Sequence, residues 1–109
     1  SNDMCCGNPF NVASYALLIH FFVYAVNHDP TYNGEKLSPG MLNLFIGNAH
    51  IYENHIDNAI RQCMREPYAF PTLAIRAPSP DRAGEFPLTE DIELLNYNSY
   101  PPIKYELNA

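Results

Sequence analysis

Basic residues are scarce in this chain. Six Lys and Arg stand against twelve Asp and Glu, giving a formal net charge of −6 over 109 residues. The six are scattered rather than clustered, so the chain lacks the basic patch that a general nucleic-acid surface needs. Cysteine is scarce too. Three cysteines, two of them adjacent, make no disulfide framework, and a reduced, cytoplasmic setting is expected. Cys5 and Cys6 would alternate faces in a strand, which makes them poor joint ligands for one ion; they read as small apolar core residues, and no metal is expected. The start, Ser1-Asn2-Asp3, is polar with no basic n-region, so no signal peptide is expected. Long apolar runs are also missing. Val12 to Val26, interrupted by Ser14 and His20, covers about 15 residues against the roughly 20 that span a bilayer, so no membrane partner is expected. No internal repeat is found, and the length suits a single unit with a modest core.

What the chain does have is concentrated at its start. Ser1 to Tyr15 reads as a short apolar strand, a Gly7-Asn8-Pro9 turn and the opening of a long helix. Asn8 is expected to cap that helix, with Pro9 in its first position, where a missing N–H costs nothing. Asn11 falls in the first turn, near the end of the strand that carries Asp3. A carboxylate and a primary amide at such a junction suit the reading of a flat heterocycle, because both form paired polar contacts. Uracil presents an N3–H donor beside the O4 acceptor, and cytosine presents the reverse. The Asn11 amide matches either edge depending on its orientation, which the surrounding network must fix. A plain helix-start role for Asn11 is the competing reading.

The helix is expected from about Pro9 to Asn27, ended by Asn27-His28-Asp29-Pro30. Apolar on nearly all sides, it reads as a buried central helix, one that needs more covering than a chain this size supplies. Thr31 to Gly40 is polar, with Asn33-Gly34 and Pro39-Gly40 as turn signals, and reads as an exposed loop. Met41 to His50 is strand-like. His50 and Tyr52, one residue apart, point the same way in an extended segment, and both can hydrogen-bond a sugar hydroxyl. His50 and His55 sit about 140° apart on a helix, which disfavours a shared metal. A second, amphipathic helix is expected from Tyr52 to Arg65, with Pro67 ending it. Thr72–Arg76 and Ile92–Tyr97 alternate as strands, separated by a loop from Ala77 to Pro87. The tail after Pro101 reads as extended.

Several blocks carry a family signature. Ser1-x-Asp3-x5-Pro9-Phe10-Asn11-x-Ala13-Ser14-Tyr15-Ala16-Leu17-Leu18 resembles the nucleotide-binding segment of thymidylate synthases. The resemblance continues through Gly47-Asn48-Ala49-His50-Ile51-Tyr52-Glu53-Asn54-His55, Arg65-Glu66-Pro67, Phe70-Pro71 and Tyr97-Asn98-Ser99-Tyr100-Pro101-Pro102-Ile103-Lys104. These blocks stand in family order and cover essentially the whole chain, but only about the last two-fifths of a family member. The implied fold is α+β, with a buried central helix packed on a mixed β-sheet, and residues 1–109 as the C-terminal portion of one catalytic domain.

The resemblance also implies a chemistry. Thymidylate synthases methylate dUMP at C5 with 5,10-methylenetetrahydrofolate, after a Cys thiolate adds to C6 of the uracil. Carried over, Ser1 meets the nucleotide phosphate, Asn11 reads the uracil edge, and His50 with Tyr52 holds the sugar 3′-hydroxyl. Asp3 hydrogen-bonds the folate pterin, Cys6, Gly7 and Phe10 surround the folate, and the C-terminal Ala109 closes the site. His20, His28 and His55 are expected to be structural. Asn48 and Tyr100 depart from the usual Asp and His. The family nucleophile and the Arg before Ser1 lie upstream, and none of Cys5, Cys6 and Cys63 has its Pro-Cys-His surroundings. The chain by itself is therefore expected to be inactive, its partners being dUMP, folate and an N-terminal complement, with a homodimer when complete. Ser1-Asn2-Asp3 is also similar to pyrimidine hydroxymethylases of the same superfamily, and a noncatalytic nucleotide-binding fragment is a third reading. Cytosine-specific members carry Asp where Asn11 stands, which favours a uracil nucleotide.

Overall fold

The computed structural model describes residues 1–82 and 85–107. In chain order the elements are β1 (Asn2–Asp3), α1 (Gly7–His28), β2 (Ala49–His50), α2 (Ile56–Cys63), β3 (Thr72–Ile75) and β4 (Ile92–Leu95). The strands form two separate pairs rather than one mixed sheet. β1 and β2 are parallel, with Asn2 opposite Ala49 and Asp3 opposite His50. β3 and β4 are antiparallel, running from Thr72 opposite Leu95 to Ile75 opposite Ile92. Asn96, at φ 59, ends β4 in the left-handed region, which Asn tolerates better than most residues.

The apolar strand expected at the start is cut to two residues. The Asp3 carboxylate accepts the Cys5 N–H at 3.0 Å and bends the chain into a turn, so Cys5 and Cys6 lie in that turn, half-buried, and not on alternate faces of a strand. α1 then begins at Gly7, two residues before the expected start, and no side chain at Cys6 caps it. Asn8 is not the cap: its amide is engaged by Asn2 instead. Pro9 still falls in the first turn, where its lack of an N–H leaves no intrahelical bond unmade. At the other end, the Asp29 carboxylate accepts from both the backbone and the hydroxyl of Thr31, at 2.8 and 2.7 Å. The Asn27 amide clasps Leu37, donating to its carbonyl at 2.9 Å and accepting its N–H at 2.8 Å. The exposed loop is thereby pinned to the end of α1.

The strand expected from Met41 is realised only at Ala49–His50. Phe45 is 96% exposed, and residues 41–46 have no strand partner among those described. The second helix appears nearly as expected, with Tyr52 capping a 3₁₀ turn (Glu53–His55) that runs into α2. Both later strands match, and their connection holds a 3₁₀ turn at Pro80–Arg82.

Among the described residues the expected buried core is absent. Among the described residues no hydrophobic side chain is buried, and no residue of α1 is. The radius of gyration is 17.8 Å, against about 13 Å for a compact chain of this length. α1 is also, by length and composition, the one described helix apolar enough to cross a membrane, longer than the apolar run suggested. Polar Asn11, Ser14, His20 and Asn27 interrupt it. It meets segments distant in sequence: Phe21 meets Phe86 edge to face at 5.3 Å, and His20, Val23 and Tyr24 face Leu73 and Ile75 of β3 across a hollow of about 180 Å³.

Two polar anchors stand out. His55, 1% exposed, lies under the tail and donates from Nε2 to the Glu106 carbonyl at 2.7 Å. Asp91, 8% exposed, takes the Arg82 guanidinium on both oxygens, at 3.0 and 2.8 Å, and also accepts the Leu88 N–H.

Candidate functional site

The parallel pairing of β1 with β2 brings the two polar blocks of the sequence together. The Asn2 N–H donates to the Asn48 carbonyl at 2.8 Å, and the Met4 N–H to the His50 carbonyl at 3.0 Å. Asp3 is therefore directly across from His50. The His50 and Tyr52 rings meet edge to face at 5.3 Å, as expected of residues sharing one side of an extended segment. Tyr52 in turn meets His55, at 5.6 Å.

Ser1 and Asn11 share a second feature, an open hollow of about 260 Å³ that they line with Asn2, Tyr15 and the 44–47 segment. Asn11 is exposed there, on the first turn of α1. Its Nδ2 donates to Asn2 Oδ1 at 3.3 Å, and Asn2 Nδ2 donates to Asn8 Oδ1 at 2.8 Å. Asn2 was not singled out by sequence reasoning, and Asn8 was read only as a helix cap. The available signal was the spacing: Asn8 and Asn11, three apart in a helix, share a face.

Asp3, Cys6 and Gly7 form the turn between β1 and α1. The Cys5 N–H leads in holding the Asp3 carboxyl below its ordinary range, with the Cys6 N–H and thiol adding to it. Burial pushes the Cys6 thiol up, and the neighbouring Asp3 charge pushes it further. Cys5 behaves alike. A Cβ on Gly7 would lie 3.5 Å from Asn2 Oδ1, an ordinary contact. Phe10 projects outward, 76% exposed, so its ring is free to meet another group. Asp3, Cys5 and His55 place metal-type ligand atoms within 4.8 Å of one another. The His55 Nε2 of this group is already engaged by the Glu106 carbonyl, and no metal is assigned here.

The tail lies against α2, pinned at three points. His55 holds Glu106, Asn58 Nδ2 donates to the Lys104 carbonyl at 3.1 Å, and the Tyr105 hydroxyl donates to Gln62 Oε1 at 2.8 Å. His55, expected to be structural, is buried and bonded to the tail. Ala109 lies outside the described residues. Tyr100, one of the two departures from the family pattern, stacks on Tyr68 at 4.7 Å with the Arg65 guanidinium over its ring at 5.2 Å.

The sequence model of thymidylate synthase matches residues 1–109. The chain belongs to the thymidylate synthase family. It is 37% identical over 109 residues to thymidylate synthase 1/2 of Encephalitozoon cuniculi, covering 100% of this chain and 34% of that protein. It is 36% identical over 107 residues to the thymidylate synthase of Mycoplasma pneumoniae, covering 98% of this chain and 33% of that one. Among solved structures, the thermostable thymidylate synthase A of Bacillus subtilis superposes with a TM-score of 0.67 at 31% identity, over 98% of this chain and 34% of the other. The chain therefore spans about a third of its relatives' length, somewhat less than the two-fifths expected. The family fold, mixing helices and sheets, is shared.

Proposed function

We propose that this chain is the C-terminal portion of a thymidylate synthase that converts dUMP to dTMP with 5,10-methylenetetrahydrofolate. Family membership supports the reaction class, and one observation carries the assignment of the nucleotide end. Asn11 holds an amide edge open to solvent in the same hollow as the Ser1 hydroxyl. In this reading Asn11 donates to uracil O4 and accepts N3–H, while Ser1 meets the phosphate. His50 and Tyr52, stacked edge to face, bond the 3′-hydroxyl.

The residues on the folate side suit the group chemically. Asp3 is held ionised, an acceptor for pterin N–H groups, and the exposed Phe10 ring offers an apolar face. Cys6 and Gly7 complete that wall, and Ala109 closes it, shielding the reaction from water. The folate supplies the one-carbon unit and the hydride; this chain binds, orients and covers. The nucleophilic Cys comes from an N-terminal complement, and the complete enzyme is a cytoplasmic homodimer. Without the complement the chain is inactive and binds dUMP weakly.

Product analysis tests the reading. The complete protein, given dUMP and methylenetetrahydrofolate, is expected to yield dTMP by mass spectrometry. 5-Hydroxymethyl-dUMP as the main product would make it a hydroxymethylase. Absence of any nucleotide product in the presence of the complement would leave a noncatalytic fragment.

A further inference from the structure

Asn11 poses a problem that it does not solve alone. Its amide matches uracil in one orientation and cytosine when rotated by 180°, and the two orientations have nearly the same shape. The answer lies in the two other amides around it. Asn2 spends both ends of its side chain: Nδ2 donates to Asn8 Oδ1 at 2.8 Å, and Oδ1 accepts from Asn11 Nδ2 at 3.3 Å. One Nδ2 hydrogen of Asn11 is thereby committed. Its second Nδ2 hydrogen and its Oδ1 are left for the hollow.

We propose that Asn8 and Asn2 are positioning residues that set the polarity of the Asn11 amide, so that this chain selects a pyrimidine edge with an N–H beside a carbonyl over the reverse edge. The proposal rests on the reading that Asn11 meets the pyrimidine. The physics is directional. An acceptor at Asn8 requires a donor from Asn2, which turns the Asn2 oxygen toward Asn11, which then must donate. Rotating Asn11 alone would set its carbonyl against the Asn2 carbonyl, a lost hydrogen bond and a lone-pair repulsion. Presenting the cytosine pattern thus needs all three amides to reverse together. The backbone bond from the Asn2 N–H to Asn48 fixes the place of Asn2, the first turn of α1 fixes that of Asn8, and the end of the Asn8 amide that faces Asn2 sets the polarity of all three.

The test is titration calorimetry of the full-length protein containing this chain, with dUMP and dCMP as ligands. The wild type should prefer dUMP. Asn2→Ala should narrow the ratio of the two dissociation constants by about tenfold, the size of one mispaired hydrogen bond. Asn8→Ala should narrow it several-fold, because Asn2 then loses its reference. Asn8→Asp supplies an oxygen that can only accept, so it should keep the wild-type ratio within about twofold. A merely structural role for position 8 would respond alike to Ala and Asp, and that result overturns the proposal. An unchanged ratio in both alanine variants, with the wild-type preference intact, sinks the relay while leaving the Asn11 reading standing. A wild type that binds neither nucleotide removes the Asn11 reading and the relay together. Should Asn2→Ala fail to fold, the Asn8 pair decides the matter by itself.

Discussion

At the scale of single side chains, the proposed pyrimidine reading rests chiefly on Asn11. Replacing it by Asp changes a group that both donates and accepts into one that, ionised, only accepts. An ionised carboxylate repels uracil O4, whereas a protonated one donates to cytosine N3 and accepts from the amino group. In the complete enzyme Asn11→Asp is expected to move preference from dUMP toward dCMP by roughly 1–3 kcal/mol per mismatch, read as the change in the ratio of the two kcat/KM values. An unchanged ratio would remove Asn11 from the pyrimidine edge. At this scale the sequence was informative where chemistry follows from residue type and local spacing. Asn11 lies on the first turn of α1, and His50 with Tyr52 on one side of an extended segment, where local spacing places them; Ser1 entered only through the family resemblance. Asn2 was passed over because its hydrogen bond reaches a helix residue six positions away, across the turn in which the Asp3 carboxylate accepts the Cys5 N–H.

Elements are held here by polar clasps more than by packing. The Arg82 guanidinium, with the Leu88 N–H, holds the Asp91 carboxyl below its ordinary 3.8. A depressed carboxylate contributes stability that is present above the unfolded value and is lost as pH falls through the folded one. The β3–β4 hairpin should therefore loosen in acid, below about pH 4. The Arg76 N–H, bonded to the Asp91 carbonyl at 2.8 Å, offers the probe: its hydrogen-exchange protection should fall in acid in the wild type. Asp91→Asn should lose that acid dependence, and a variant that kept it would place the titration elsewhere. The tail depends on His55 in the same way. Removing that buried donor in His55→Ala should cost about 1–3 kcal/mol of local docking and speed protease cleavage after Lys104 in the assembled protein. An unaltered cleavage rate would mean that Asn58 and Tyr105 suffice. The β3 and β4 strands were legible because alternation and turn residues act locally. The strand from Met41 was overread because its apolar pattern has no pairing partner among the described residues.

For the molecule as a whole, the missing core is the dominant fact. A helix of 22 residues with none buried leaves apolar surface that water disfavours, and no described hydrophobic side chain offsets it. The chain alone is expected to melt without a sharp heat-capacity peak and to bind a dye such as ANS. With its complement it should melt cooperatively, as packed domains do. A sharp calorimetric transition from the chain alone would show that it folds as a unit. The composition had announced this, since a helix apolar on nearly all sides asks for cover on every side. What it could not announce was that the two strand pairs stay separate. The parallel pair has a further consequence. By joining Asp3 to His50 it makes everything between them a closed ring, and the length of a ring enters its closure entropy only as a logarithm. Doubling such a ring costs only about 0.6 kcal/mol, so the exposed stretch from Thr31 to Gly40 is a place where evolution, or an engineer grafting a tag, can add residues and leave the hollow of Ser1 and Asn11 undisturbed.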